Sequence, residues 1–383
     1  MTRELARLIT GQVFLHACMA GTRLAAPLLA LRQGYSEAAV GVLMALFALT
    51  QVFLSLPAGR YADRHGLKRP VRFAVIAAAL GAALPVAWPS FPALCVSALC
   101  TGGAAGAAAI ALQRHVGRAA GNPTQLKQVF SWLAIGPAAS NFLGPFAAGL
   151  VIDHAGFSAA FMLMAALPVV AWFWIRTAHE LPPVERPAGA GAERAWDLWG
   201  QPMFRKLLLV NWFLSSCWDV HTFMVPVLGH ERGLSASVIG TILGAFAIAA
   251  AAIRVVLPAI AARVREWALI AFSMLVTAAL FAVYPFMRAP LAMGACSVLL
   301  GLALGVVQPM IMSMLHQVTP EHRHGEAVAM RMMMINASSV AMPMLFGAGG
   351  ALVGSAGVFW VVGAIVGAGS RVAFSLRAGR SPG

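Results

Sequence analysis

The chain has 383 residues, of which 60% are hydrophobic and only 10% charged, where a soluble domain carries about 25% charged residues. That balance excludes an ordinary water-soluble domain and describes a polytopic membrane protein. The formal net charge of +14 does not point to nucleic acid, because the basic residues recur between apolar runs, the distribution that orients membrane helices.

A spanning helix needs about 20 apolar residues. Twelve such runs are predicted, at 8–30, 36–58, 70–88, 92–114, 125–151 and 157–176, then 204–228, 235–262, 267–287, 291–316, 325–352 and 357–376. The basic N-terminus followed by a long apolar run reads as an uncleaved first span. Residues 177–203, rich in Pro, Glu and Arg, are too polar to span. The chain thus divides into a bundle over 1–176, a linker over 177–203 and a bundle over 204–383. With the N-terminus inside, the outer loops hold only Arg32, Arg232 and Arg288, and Arg23 and Arg254 lie within spans. Every other Lys and Arg, including Arg186, Arg194 and Arg380, falls on the inner side, so both termini are expected in the cytoplasm. A shift of 199 residues carries Pro27 onto Pro226, Gly34 onto Gly233, Ser36 onto Ser235, Gly41 onto Gly240 and Phe47 onto Phe246. The shared frame is a helix end, a Gly-x-Ser turn and a Ser-capped helix start, which indicates two parallel repeats. A weaker match pairs Gly149 with Gly350 and Gly156 with Gly357. The five cysteines lie in apolar runs without metal-ligand spacing and read as packing residues.

The most charged stretch joins the second and third runs. Gly59, Asp63, Arg64, Gly66, Lys68 and Arg69 follow the order G-x-x-x-D-R-x-G with a basic pair, Leu67 standing before that pair. This resembles the signature loop of the major facilitator superfamily. The resemblance implies an all-α integral membrane fold with twelve transmembrane helices in two parallel six-helix bundles. It also implies that the loop is a gating latch, with Asp63 meeting the positive end of the helix starting near Gly325 and Arg114 or Arg331 nearby. The equivalent connection in the second half, Ala262 to Glu266, has lost the pattern. In the fifth run, Gly136-Pro137 and Gly144-Pro145 with Gly149 resemble the superfamily's antiporter motif, with Ala148 replacing one glycine. Small residues at this spacing let helices approach closely, and the resemblance implies export by proton exchange. The buried arginine often found in the fourth helix of such antiporters is missing.

Ionisable residues inside spans are functional hypotheses by default. Arg23 in the first run and Asp219 in the seventh, within Cys217-Trp218-Asp219-Val220-His221, fall within about a turn of one another in height under the repeat. The resemblance implies that the first and seventh helices line a central cavity, so the two are expected to face one another or to share that cavity, with Asp219 or His221 taking the coupling proton. Arg254 reads as snorkelling to an interface, and His322-Arg323-His324 as a solvated basic turn. Gln308 beside Pro309 is a further cavity candidate, and Trp218 offers a stacking surface. Asn141 reads as an interhelical hydrogen-bonding residue and His16 as a satisfied packing histidine. No nucleotide loop, nucleophile arrangement or metal cluster is present in the sequence, so the expectation is a transporter without enzymatic activity, cofactor or metal. The expected partners are a small-molecule substrate, protons and the lipid bilayer, with no nucleic acid. The preferred reading is a monomeric, multi-pass protein of the bacterial inner membrane that exports a small amphipathic or drug-like molecule by proton-coupled alternating access. Uptake or facilitated passage of a small organic solute or anion is the second reading, and a transport-inactive receptor the third.

Overall fold

The structure, a computed structural model, describes residues 3–35, 37–182, 195–234 and 236–379. The expected caps Ser36 and Ser235, most of the linker with Arg186 and Arg194, and Arg380 lie outside the described residues. Among the described residues the regular elements are all helical: α1 (Arg3–Arg32), α2 (Glu37–His65), α3 (Lys68–Ala87), α4 (Phe91–Arg118), α5 (Pro123–Leu133), α6 (Ile135–Ile175), α7 (Pro202–Glu231), α8 (Ala236–Ile260), α9 (Glu266–Val283), α10 (Pro290–Gly305), α11 (Val307–Val318) and α12 (His324–Ser375). Nine helical stretches among them are long and apolar enough to cross a membrane.

The helices depart from the sequence runs where glycine or a break in the backbone intervenes. Two pairs of expected spans are fused within α6 and α12. Each bends at one glycine with positive φ, Gly156 (φ 82°) and Gly354 (φ 74°). Gly354, not Gly357, is therefore the conformational counterpart of Gly156. The run expected as 291–316 is two helices, α10 and α11, meeting at Val306, and α5 and α6 likewise meet at Ala134. The charged stretch is less loop-like than expected. α2 continues through Asp63 to His65, Gly66 turns the chain at φ 75°, and α3 begins at Lys68.

The described residues form two compact units. The first comprises residues 1–120, 135–195 and 320–337; the second comprises 121–134, 196–319 and 338–383. In the first, α6 runs along α1 through glycine contacts. A Cβ on Gly144 would lie 2.5 Å from Ala17 O and 2.9 Å from Gly21 N, so only glycine permits this backbone approach. The two units repeat local detail. Gly102 of α4 sits against Phe47 O of α2, and Gly301 of α10 against Phe246 O of α8. Gly106 on Gln51 is repeated by Gly305 on Ala250. All of these pairs obey the 199-residue shift. α1 and α7 also end alike. Gly34 and Gly233 take positive φ, Tyr35 N–H donates to Ala30 O at 3.1 Å, and Leu234 N–H donates to Gly229 O at 3.0 Å. This is the Schellman ending, which needs a left-handed residue and so favours glycine.

Candidate functional site

The first unit concentrates its buried charge where α2 and α4 end and α12 begins. Asp63 and Arg114 form an ion pair at 2.5 Å, with side chains 0% and 2% exposed. The same carboxylate accepts the backbone N–H of Gly325 at 2.9 Å and of Glu326 at 3.0 Å. Those amides belong to the first turn of α12, where no intrahelical acceptor exists and the helix dipole is positive. One buried aspartate thus binds the end of α4 and the start of α12 to α2. Gly59 and Gly325 make this possible, because a Cβ on either would collide with the other's carbonyl oxygen.

A second acid extends the cluster. Glu326 accepts Arg60 Nε on one oxygen and Arg323 Nε on the other, both at 2.8 Å. Arg323 and His324 are buried, so 322–324 is not the solvated turn expected. Burial follows from Glu326, which lies one turn ahead and takes the guanidinium inward. Arg118 donates to Glu321 at 2.8 Å and to Pro182 O at 3.0 Å. Glu180 accepts Leu67 N–H at 2.5 Å and Lys68 N–H at 3.3 Å, a carboxylate at the N-terminus of α3. Arg64 and Arg69 are exposed and make no ion pair among the described residues.

The second unit has no such aspartate; the 199-residue shift places Ala262 there. One of its buried charges is Glu266 at the start of α9. Glu266 accepts Ser313 Oγ at 3.2 Å and Gln317 Nε2 at 3.0 Å, with Lys127 Nζ at 3.8 Å. Lys127, on α5, also donates to Val264 O at 2.8 Å.

The in-span candidates have the following surroundings within their own units. Arg23 is exposed on α1 in the first unit, seven residues beyond His16 and on the same helix face. Asp219 belongs to the second unit. Ser338 Oγ and Ser339 Oγ each approach its carboxylate at 3.4 Å, long for hydroxyl–carboxylate bonds. No cation pairs with it among the described residues. His221 points elsewhere, as its spacing of two residues on a helix requires. It is buried, stacks on Phe246 at 4.0 Å between ring centroids and meets Ser297 Oγ at 3.0 Å, which in turn meets Tyr284 Oη at 2.8 Å. Gln308 is half-buried in α11. On α6, Gly136 lies against Gln12 and Gly144 against α1, Gly149 has only Leu24 within ordinary contact, and Pro137 and Pro145 are half-buried. Among the described residues, no group of three His, Cys, Asp or Glu side chains is placed to hold a metal ion.

A family model described as Major Facilitator Superfamily matches residues 8–296 and 207–382. The chain belongs to that superfamily. It is therefore a multi-pass membrane transporter by family, with the superfamily's helical fold. A crystal structure of a bacterial homologue of the iron transporter ferroportin in the outward-facing state is similar over 98% of this chain and 100% of that chain, with a TM-score of 0.81 and 16% identity. The human organic anion transporter MFSD10 (TETRAN) is similar over 97% of this chain and 100% of its own, with a TM-score of 0.77 and 16% identity. The ferroportin homologue with soaked iron gives 0.77 at 15% identity over 99% of this chain and 100% of that chain. At these identities the likeness is one of fold. No curated protein matches this chain in sequence.

Glu180, Glu266, Glu321 and Glu326 are charged partners that the sequence alone does not reveal. Each lies far in the chain from at least one group it binds. The one available signal was scarcity: an acid in so apolar a chain needs a cation or a helix end.

Proposed function

We propose that this superfamily member exports a small amphipathic or drug-like molecule across the bacterial inner membrane in exchange for protons. The observation that carries the reading is Asp219. It is an in-span carboxylate with two long hydroxyl contacts and no cationic partner among the described residues. A half-buried carboxylate left unpaired within a span is a functional hypothesis by default; the reading makes a proton its ligand and cargo-linked rearrangement its trigger. Gly144 against α1 supports the antiporter-like role of the α6 motif.

The Asp63 cluster acts as the gate of an alternating-access cycle. Made, it ties α12 to α2 and α4; opening requires Asp63 to give up Gly325 and Glu326, and Arg60 to give up Glu326. The two parallel six-helix bundles, 1–176 and 204–383 with a cytoplasmic linker over 177–203, are part of the proposal and are supported by the repeated glycine contacts and helix endings. The basic residues of the inner segments favour cytoplasmic termini. The protein works as a monomer, since one chain supplies both repeats.

The test is proton flux in proteoliposomes loaded with cationic, neutral and anionic amphipathic compounds. Cargo added to a vesicle at imposed pH difference should drive proton movement in the wild type and not in Asp219→Asn. Cargo movement without proton movement in either protein would refute proton exchange.

A further inference from the structure

Arg254, on α8 in the second unit, does not snorkel. It is 7% exposed, with Nε donating to Gly305 O and Nη1 to Ala134 O, each at 3.1 Å. Gly305 is the last residue of α10 and Ala134 follows α5. Both acceptors are carbonyls at helix ends, where the dipole is negative. They hold the guanidinium firmly, but a partial charge does not neutralise a full one. No carboxylate pairs with Arg254 among the described residues, and Nη2 makes no hydrogen bond there. The contrast is with Arg114, which has Asp63, and Arg323, which has Glu326. A cation held in a span without a counter-ion is costly, and such a cost is met when a ligand brings the missing charge.

Trp218 stands beside it. The Arg254 Cζ lies 5.9 Å from the centroid of the indole ring, which is half-buried and packs edge-on against Phe246 at 4.6 Å. A planar fork with an unused nitrogen is suited to a carboxylate or sulfonate, and an adjoining aromatic face to a flat apolar body.

We propose that Arg254 and Trp218 form an anion subsite in the second unit for the carboxylate or sulfonate of an aromatic organic acid. This rests on the transport reading only in taking that acid to be cargo, and it narrows the cargo to amphipathic anions.

Binding without a gradient tests it separately from transport. Full-length protein in lipid nanodiscs is titrated with naphthalene-2-carboxylate and with the neutral naphthalene-2-carboxamide, followed by calorimetry. The wild type should prefer the carboxylate. Arg254→Gln should weaken carboxylate binding on the order of 10- to 100-fold, the loss of a charge-assisted contact, and move the carboxamide by no more than about twofold. Where Arg254→Gln does not fold, Arg254→Lys keeps the charge without the fork and should weaken the carboxylate several-fold, and Trp218→Leu should weaken both probes. Equal affinity for the two probes in the wild type, no binding of either, or unchanged carboxylate affinity in the foldable Arg254 variant would overturn the subsite. A protein that binds the carboxylate through Arg254 yet moves no protons would instead overturn the exchange reading alone.

Discussion

Asp63→Asn isolates the gate. In the wild type one carboxylate receives three donors: Arg114 Nε at 2.5 Å, Gly325 N–H at 2.9 Å and Glu326 N–H at 3.0 Å. Asparagine keeps a single oxygen, turns an amide donor toward one of these groups and leaves Arg114 buried without a counter-charge. Removing one partner of a buried ion pair costs about 3–5 kcal/mol. Taking about 3 kcal/mol as the share borne by the first turn of α12, and about 1.4 kcal/mol per tenfold change, local opening there should rise on the order of 100-fold. Hydrogen exchange followed by mass spectrometry reads this directly on peptides covering Gly325 and Glu326. Those amides should exchange about 100-fold faster in Asp63→Asn. The amides of Leu67 and Lys68, held by Glu180, should keep their wild-type rate. Replacing Arg114 by Gln in the same background removes the stranded charge, so the double variant should be less perturbed than the sum of the singles. Unchanged exchange at Gly325 and Glu326 in Asp63→Asn would refute the assignment of Asp63 as the tie between α2 and α12.

Two further outcomes follow from packing and buried charge. Gly144→Ala should lower the thermal midpoint in detergent by the equivalent of about 1–3 kcal/mol, because the new Cβ meets backbone on α1, whereas Gly149→Ala, whose nearest neighbour is Leu24 Cδ2 at 3.8 Å, should stay within about 0.5 kcal/mol. Glu266→Gln should destabilise by about 1.5–3 kcal/mol, and adding Lys127→Met should restore part of it, measured by the same melts.

What the sequence revealed depended on whether the relevant partner was local. Gly34 and Gly233 announced their turns because a left-handed helix ending is a property of the few residues around it. Asp63, Arg64 and Gly66 stood out because charge is rare in this chain. Gly102 and Gly301 obey the same 199-residue shift as Phe47 and Phe246, yet their role depends on which carbonyl faces them, and that is a fact of packing. The Gly156 counterpart was displaced by three residues for a similar reason: both Gly354 and Gly357 are available, and only backbone conformation distinguishes them. Arg254 misled in the opposite direction. A single charge near the end of an apolar run reads as snorkelling, because the broken helix ends at Ala134 and Gly305 that hold it belong to distant segments. Glu180 and Glu266 looked like ordinary polar residues of a connection until helix starts and a buried lysine were placed against them.

The central claim is that Asp219 carries the proton that drives cargo. The direct measurement compares wild type and Asp219→Asn in proteoliposomes for two activities, exchange of labelled cargo at equal pH and accumulation of cargo against its gradient under an imposed pH difference. Exchange needs only a folded, moving transporter; accumulation needs coupling. Asp219→Asn should keep exchange and lose pH-driven accumulation. Accumulation retained in Asp219→Asn at the wild-type level would contradict the account and leave Asp219 as a structural polar group.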